Sequence, residues 1–415
     1  MAGLFLLLFA PFKVAHADPG ELFVSPDGTG TACTEANPCA LRTALDIAES
    51  NGEDDVIYLE RGIYEGNFAY APEDAKSLII RGEPGTTAED IVLDGGGTGA
   101  VLYLRSSGTV GSATITGLTI QGGSWSGLDV YCENGNLDMA VDHVVIQNNV
   151  TGTTGGGIEI NAGIDATGRG NGVVTMEIWN SIIRYNQALK RGGGIAAHSC
   201  YGNSSINLLI VNSLIYENGA NWSGGGIDVS ACEVGDNNVT KAVVINSTIT
   251  DNVADAEDGG WEKGGGIRVY AYSGTGAIAS LDLYNTIVHG NTLGGGDPQD
   301  LHLGEMGHGN ATVNAYYSDI GDVSIDTIRG EPTYSPVNVV NADPAFVDPA
   351  NDDYHLTSGS PCIDAGTTAV PDPPGLPTTD FEGDPRVLGA APDIGADEYG
   401  YVRRIYLPLV TRSYP

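Results

Sequence analysis

The stretch that decides the fold is Gly192-Gly193-Gly194-Ile195-Ala196-Ala197, and closely similar stretches occur three more times in the chain. The other copies begin at Gly155, Gly224 and Gly264, and a shortened copy occupies residues 126–130. A short unit that recurs every 30 to 40 residues or so is typical of a repeat protein, in which each unit packs on its neighbours. The sequence is therefore interpreted first as a solenoid.

A second motif, Asn180-Ser181-Ile182-Ile183-Arg184-Tyr185-Asn186, lies between the glycine-rich copies. It recurs at residues 212–218, at 246–252 and, with Thr in second place, at 285–291. Each unit thus holds two short strands rich in β-branched residues. Stacked units would place equivalent strands side by side at about 4.8 Å. The triple glycine permits the positive φ of a tight corner. Together the motifs predict an all-β, parallel β-helix solenoid.

The first asparagine of the second motif is expected at a corner of each coil. There its amide could hydrogen bond to the same amide one coil away. The predicted structural ladder consists of Asn180, Asn212, Asn246 and Asn285, and His143 takes the equivalent earlier position.

A single helix is predicted before the first coil. Asn37 could cap it, Pro38 suits its first turn, and Asn51-Gly52 would end it. The predicted apolar stripe, which would cover the open end of the hydrophobic column, is formed by Leu41, Ala44, Leu45 and Ala48.

The order of regions follows from these motifs. Residues 1–17 have the apolar run and the small-x-small cleavage site of a signal peptide. No positively charged residue precedes the apolar run, so we expect the start of the signal peptide to be truncated. The run is too short to span a membrane. The predicted regions are 1–17 signal peptide, 18–55 N-terminal cap with the helix, 56–330 parallel β-helix coils, 331–398 C-terminal region, and 399–415 terminal strand or tail.

Charge and composition limit the partners. Lys and Arg total 18 against 53 Asp and Glu, which gives a formal net charge of −35. Nucleic-acid binding through phosphate contacts is excluded, because no basic patch can be assembled. With 60 glycines and only 17% charged residues, the chain has the composition of a turn-rich extracellular β-protein. We expect an extracellular or cell-surface monomer, exported by its signal peptide and without a membrane span in the mature chain.

Export makes disulfides feasible for the six cysteines. Cys33 and Cys39 bracket a five-residue loop and could close it. Cys200 and Cys232 fall at equivalent positions of consecutive coils, within the Cα separation that a disulfide needs. Both pairs are predicted disulfides. Cys132 has inward parity and is expected as a buried free thiol, whereas Cys362 has no evident partner.

Strand parity indicates a candidate ligand surface. If Ile158, Ile195 and Ile227 point inward, the alternate positions form outward rows. The ligand-binding candidates in these rows are Asp129, Tyr131, Glu159, His198, Asp228, Arg268 and Tyr270. The competing interpretation is ordinary surface, with Asp228 and Arg268 as a solvated ion pair that contributes less than about 1 kcal/mol.

Two further groups of acids are candidates for a functional site. Asp129 and Glu159 should lie one coil apart, near the separation of the carboxyl pair in retaining glycosidases, although adjacent acids also arise by chance in so acidic a chain. The loop residues that could bind Ca²⁺ through oxygen ligands, or could simply be solvated, are Asp251, Asp255, Glu257 and Asp258. No other cofactor is predicted, and the histidines lack the paired helical spacing of a zinc site.

The two repeated motifs resemble those of the right-handed parallel β-helix, or pectin-lyase-like, superfamily and its polymorphic outer-membrane-type repeats. The end of the chain is similar to the choice-of-anchor Q domain. The segments that carry this second resemblance are Asp343–Asp348, Asp353-Tyr354-His355-Leu356, Ser358–Pro361, Ile363–Gly366 and Asp393–Ala396. The resemblance implies a right-handed solenoid that is exported and displayed at a surface, without implying one reaction.

Enzyme signatures of that superfamily are mostly missing. Of the polygalacturonase motifs, only His289-Gly290 occurs in a coil. The predicted function is therefore non-catalytic binding or adhesion, with an extracellular glycan as the expected partner. A polysaccharide lyase or glycoside hydrolase is the alternative, and the sequence leaves catalysis open.

Overall fold

A computed structural model describes residues 20–71, 75–163, 170–232, 237–255, 263–272, 275–327 and 330–400. The predicted signal peptide, residues 401–415 of the predicted tail, and the Ca²⁺ candidates Glu257 and Asp258 lie outside these residues. Within them, no helix has both the length and the apolar character needed to cross a membrane.

The chain forms a right-handed parallel β-helix, so the predicted fold class is confirmed. Each coil passes through three sheet faces, which we call first, second and third. One coil runs from the third face at Ile182–Arg184 through a corner strand at Gln187–Ala188 to the first face at Ile195–Ser199. It continues to the second face at Ser205–Val211 and then begins the next coil.

The first face contains the strands that follow the glycine corners. They are Phe68–Tyr70, the first parts of Ala100–Thr116 and Ser126–Asp142, Ile158–Ala162, Ile195–Ser199, Ile227–Ala231, Ile267–Ala271, Leu301–Glu305 and Val323–Asp326.

The second face begins at the N-terminal end of the column. Its strands are Gly20–Val24, Asp55–Leu59, Ser77–Gly82, the second parts of Ala100–Thr116 and Ser126–Asp142, Asn171–Trp179, Ser205–Val211, Val239–Ile245, Ile278–Tyr284, Asn310–Tyr316 and Thr333–Val337.

The third face is narrower and includes the Asn-Ser-x-Ile strands. They are Gly62–Glu65, Ile91–Asp94, Thr119–Gln121, Val145–Gln147, Ile182–Arg184, Leu214–Tyr216, Thr248–Thr250, Ile287–Val288 and Asp319–Ile320. Short corner strands join it to the first face, namely Val150–Thr151, Gln187–Ala188, Gly219–Ala220, Val253–Ala254 and Thr292–Leu293.

The core is one hydrophobic column inside the coils. Ile158, Ile195, Ile227 and Ile267 are all buried in it, as strand parity predicts. Helix α1 (Leu41–Ser50) closes its N-terminal end with the predicted apolar stripe, all of which is buried. The expected cap is wrong, because Ala40 occupies the N-cap position and makes no side-chain cap, while the backbone N–H of Asn37 donates to the Thr34 carbonyl.

Both predicted disulfides are present. Cys33–Cys39 joins Cα atoms 4.7 Å apart, and Cys200–Cys232 joins consecutive coils at 4.4 Å. Cys132 and Cys362 are buried free thiols.

The last asparagine of the motif forms an unbroken ladder of side-chain amides from coil to coil. The predicted ladder was at the first asparagine. The Nδ2 of each side chain donates to Oδ1 of the next at 2.9–3.0 Å, and the series ends on an aspartate. Its members are Asn149, Asn186, Asn218, Asn252, Asn291 and Asp300. These asparagines are buried, and their amides also donate to backbone carbonyls.

The predicted ladder at the first asparagine is made of two separate pairs. Asn212 donates to Asn180 at 2.8 Å, and Asn285 donates to Asn246 at 3.3 Å. All four have a positive φ between 46° and 55°, which marks the corner. Between the pairs, Arg386 of the C-terminal region donates to Asn212 Oδ1. This oxygen would accept from Asn246 in a continuous ladder.

The C-terminal region returns along the outside of the coils. It contains the antiparallel strands Phe346–Asp348 and Asp353–Leu356, separated by a 3₁₀ turn at Pro349–Asn351. Leu356, Cys362 and Ile394 pack against Ile287 of the third face. Buried Arg386 also donates to the carbonyls of Gly395 and Ala396, which holds the end of the region in place.

Candidate functional site

The outer surface of the first face contains the predicted rows. Strand register places Asp129 beside Glu159, and Asp228 beside Arg268. The second row, in register order, contains Tyr131, Asn161, His198, Ser230 and Tyr270. Register also adds Tyr103 at one end of the first row and His302 at the other, and neither had been singled out from sequence.

The half of this surface nearer the C-terminus is buried, which corrects the expectation of solvated rows. Asp228 is fully buried, and Arg268 and Tyr270 are 2% and 5% exposed. His198 is also buried, at 8% exposed. Strand parity predicts only the side of the sheet to which a side chain points. It does not predict whether large neighbouring side chains on that side bury one another.

Asp228 is the centre of a closed polar network. Arg268 Nη1 lies 2.9 Å from Asp228 Oδ2, and His198 Nε2 lies 3.0 Å from Asp228 Oδ1. The Ser230 hydroxyl also donates to this carboxylate. Burial opposes ionisation, but Arg268 and then His198 outweigh it and hold the pKa of Asp228 below its ordinary value.

Arg268 is enclosed by aromatic rings. Its guanidinium lies 4.3 Å from the centroid of Tyr270 and donates to the Tyr272 hydroxyl at 3.1 Å. Burial and then the charge of Arg268 lower the pKa of neighbouring His302 to about 3. Asp228, Arg268 and Tyr270 thus contact one another and are shielded from solvent, while Arg268 Nε and His302 Nε2 are buried without a hydrogen-bond partner among the described residues.

The half nearer the N-terminus is partly exposed. We call its residues Tyr103, Arg105, Asp129, Tyr131 and Asn161 the open patch. Arg105 pairs with Glu133, and its guanidinium lies 5.9 Å from the Tyr131 ring centroid. The indole of Trp125, 58% exposed, stands just before the strand that carries Asp129 and Tyr131. The patch thus combines aromatic rings with hydrogen-bonding groups.

The carboxyl pair consists of Asp129, which belongs to the open patch, and Glu159, which is buried beside it. Glu159 is 8% exposed, and its Oε1 accepts from Thr154 Oγ1 at 2.7 Å and from Asn161 Nδ2 at 3.0 Å. Oδ1 of Asp129 is buried and has no hydrogen-bond partner in the part of the chain that the structure describes.

The environment favours the protonated form of Asp129. Burial and then the charge of Glu159 raise the pKa of Asp129 to about 8. Burial also raises the pKa of Glu159. At neutral pH Asp129 is therefore largely a neutral acid that can donate a hydrogen bond, beside a second carboxyl group.

Two of the Ca²⁺ candidates line a different groove. Asp251, Asp255 and Glu217 border an open cavity of about 300 Å³ beside the corner strands. Asp251 Oδ2 accepts from the Tyr354 hydroxyl at 3.0 Å, which uses one of its oxygens. Burial and then Asp352 raise the pKa of Asp251. A Ca²⁺ site here stays a prediction.

A potential metal-binding group lies elsewhere, in the C-terminal region. Among the described residues, one set of three potential ligands has donor atoms that all lie within 4.8 Å of one another: His355, Glu382 and Asp397. His355 lies in the Asp353–Leu356 segment, and no sequence pattern links it to the two acids, which are distant in the chain.

The chain was compared with known proteins by sequence and by structure. Neither a protein-family model nor the sequence of a curated protein matches it. Among solved structures, it is similar to the pectate lyase Pel9A at 13% identity, with 93% of this chain and 98% of that chain covered and a TM-score of 0.42.

Two further solved structures show looser similarity. A pectin methylesterase from Aspergillus niger has 13% identity over 80% of this chain and 89% of its own, with a TM-score of 0.33. An alginate lyase from Paenibacillus sp. has 16% identity over 77% and 99%, with a TM-score of 0.31. These values are too low to transfer an activity.

Proposed function

We propose that this protein is an exported cell-surface β-helix that binds a neutral extracellular polysaccharide at the open patch. The observation that carries the proposal is Asp129, whose partly buried, uncharged carboxyl group has one oxygen without a partner among the described residues. A buried polar group is normally hydrogen-bonded. This oxygen belongs to a partly exposed side chain, so a ligand hydroxyl in the patch could become its partner after a small movement of the carboxyl group.

The other groups of the patch suit a sugar. The rings of Tyr103 and Tyr131 can cover the apolar face of a pyranose, while Asp129 and Asn161 can donate to and accept from its hydroxyls. The exposed indole of Trp125 offers a further ring surface at the start of the same strand. The formal charge of −35 repels polyanions, which favours a neutral polysaccharide.

Surface display is part of the proposal. It is supported by the signal-peptide pattern of residues 1–17 and by the resemblance of residues 331–398 to a choice-of-anchor Q domain. Two disulfides fit an oxidising compartment.

The test is a glycan array probed with the full-length chain, with and without Ca²⁺, followed by titration of the hits. Tyr131→Ala and Asp129→Ala should each weaken binding by about tenfold or more, the scale of losing an aromatic or buried polar contact. The matched controls are Tyr316→Ala and Asp138→Ala on the second face, which should bind normally. Equal binding by the patch variants and the controls would contradict the proposal.

Glycoside hydrolysis is a second candidate, favoured specifically by the Asp129–Glu159 pair. A glycosidase needs one protonated acid and one further carboxyl group, and the pKa of about 8 keeps Asp129 protonated at neutral pH. Reducing-sugar and unsaturated-product assays on the bound glycans decide between the two functions. Turnover that Asp129→Asn and Glu159→Gln abolish and Asp138→Asn retains would replace the binding-only proposal.

A further inference from the structure

We infer that His355, Glu382 and Asp397 form a binding site for one divalent transition-metal ion, with Zn²⁺ as the best-suited ion. The three side chains offer one imidazole nitrogen and two carboxylate oxygens, and these atoms all lie within 4.8 Å of one another. A metal ion that replaces the direct contacts could reach all three with small side-chain movements. This site is independent of the polysaccharide-binding proposal.

The ligands come from three separate segments. His355 belongs to the strand Asp353–Leu356, Glu382 follows the turn at Asp380, and Asp397 comes just before the end of the described chain. His355 Nε2 lies 3.4 Å from Glu382 Oε1, so the imidazole already faces the carboxylates.

The groups around the ligands orient them for a metal. Asp353 Oδ1 lies 2.6 Å from His355 Nδ1 and can accept the Nδ1 proton, so that a metal ion could displace the proton on Nε2 and bind there. A carboxylate in this position is the usual outer partner of a metal-bound histidine. The Leu356 amide donates to Asp397 Oδ2 at 2.8 Å and fixes that carboxylate.

Glu382 provides a separate indication of a missing partner. Its Oε2 atom is buried and has no hydrogen-bond partner in the described part of the chain. The nearby Asp397 is also acidic and cannot compensate its charge. An unpaired buried carboxylate oxygen is costly, and a cation would satisfy it.

The donor set and the exposure favour Zn²⁺ over Ca²⁺. Imidazole is a ligand for Zn²⁺, whereas Ca²⁺ takes six to eight oxygen ligands. The His355 side chain is 51% exposed, which leaves room for a water molecule as a fourth ligand. The competing arrangement is a protonated His355 that forms only ion pairs with Asp353 and Glu382.

A bound ion would link the three segments and stabilise the C-terminal region. This region has little regular structure beyond two short strands, so its loops depend on side-chain contacts. An ion that binds only the folded region raises the melting temperature.

The test uses the full-length chain, treated with EDTA and dialysed into metal-free buffer. Calorimetric titration with ZnCl₂ should show one saturable site per chain, and thermal melting should shift upward with Zn²⁺ but not with CaCl₂. His355→Gln and Glu382→Gln should each weaken Zn²⁺ binding by more than about tenfold. Asp353→Asn, which changes only the orienting carboxylate, should weaken it by about tenfold or more.

The matched control is His308→Gln, which removes an exposed histidine of the coils and should bind Zn²⁺ like the parent chain. Circular dichroism of each variant without metal shows that the fold is retained. No saturable binding by the parent chain, or equal binding by His355→Gln and the parent, would overturn the site in favour of the ion-pair arrangement.

Discussion

At the scale of single residues, burial changes the energetics of the pair Asp228 and Arg268. On a solvated surface such a pair contributes less than about 1 kcal/mol. In this protein both side chains are within 2% of complete burial, and Asp228 also contacts His198 and Ser230. Loss of one buried partner leaves the other charge uncompensated in a poorly solvated site.

Arg268→Met should therefore lower the free energy of unfolding by about 3–5 kcal/mol, because it leaves Asp228 without its cation. Chemical denaturation measures this change. The control is Arg105→Met. The Arg105 side chain is 43% exposed, so its ion pair with Glu133 should contribute less than about 1 kcal/mol. Equal, small losses in the two variants would show that the Asp228–Arg268 pair behaves as a surface pair.

At the scale of the repeated element, the last asparagine of the motif connects the coils. Asn218 donates to Asn252 Oδ1 and to two backbone carbonyls, and its own Oδ1 accepts from Asn186. An alanine at this position would leave several buried donors and acceptors unsatisfied. Among the first asparagines Asn212, Asn246 and Asn285 are buried and Asn180 is half-buried, and the backbone has a positive φ at all four.

Asn218→Ala should lower the free energy of unfolding by at least about 2 kcal/mol, because each unsatisfied buried group costs about 1–3 kcal/mol. Asn180→Gly is the comparison, since glycine accepts the φ of 47° found at that corner. We expect its loss to be less than half as large in the same denaturation experiment. The reverse order would mean that the first asparagine ladder holds the coils together.

At the scale of the whole molecule, the C-terminal region bonds to coils far from it in sequence. Asp352 accepts hydrogen bonds from Arg184 and Tyr185. Arg386, also in the C-terminal region, donates to the Asn212 side chain. The backbone N–H of Ala396 donates to Thr248 Oγ1. These contacts cross several coils, so they fasten successive units of the column from outside.

The acidic character of the molecule gives its stability a pH dependence. The pKa of Asp129 is about 8 in the folded chain against an ordinary value of 3.8, so between these values the folded state holds a proton that the unfolded chain releases. Asp129 by itself therefore lowers the stability as the pH rises from about 4 to about 8, by up to about 1.4 kcal/mol per pH unit. The ionisable neighbours Glu159 and Tyr103 face this group.

Thermal melting of the parent chain and of Asp129→Asn between pH 6.5 and 8 measures this effect. This window avoids His302, whose pKa of about 3 adds the opposite dependence only below pH 6.5. The parent should lose stability relative to the variant as the pH rises. A constant difference across the window would mean that Asp129 is already ionised at pH 6.5.

The sequence by itself determined the solenoid, the register of its strands, the inward isoleucines, the capping helix and both disulfides. These features follow from a repeated pattern and from the fixed spacing of stacked strands, so equivalent residues must become neighbours. Only the tertiary structure decided that Asp228 and Arg268 are buried, that the unbroken ladder begins at Asn149, and that His355 meets Glu382 and Asp397. These outcomes depend on how large side chains cover one another and on where a non-repetitive segment packs, and no local periodicity encodes either.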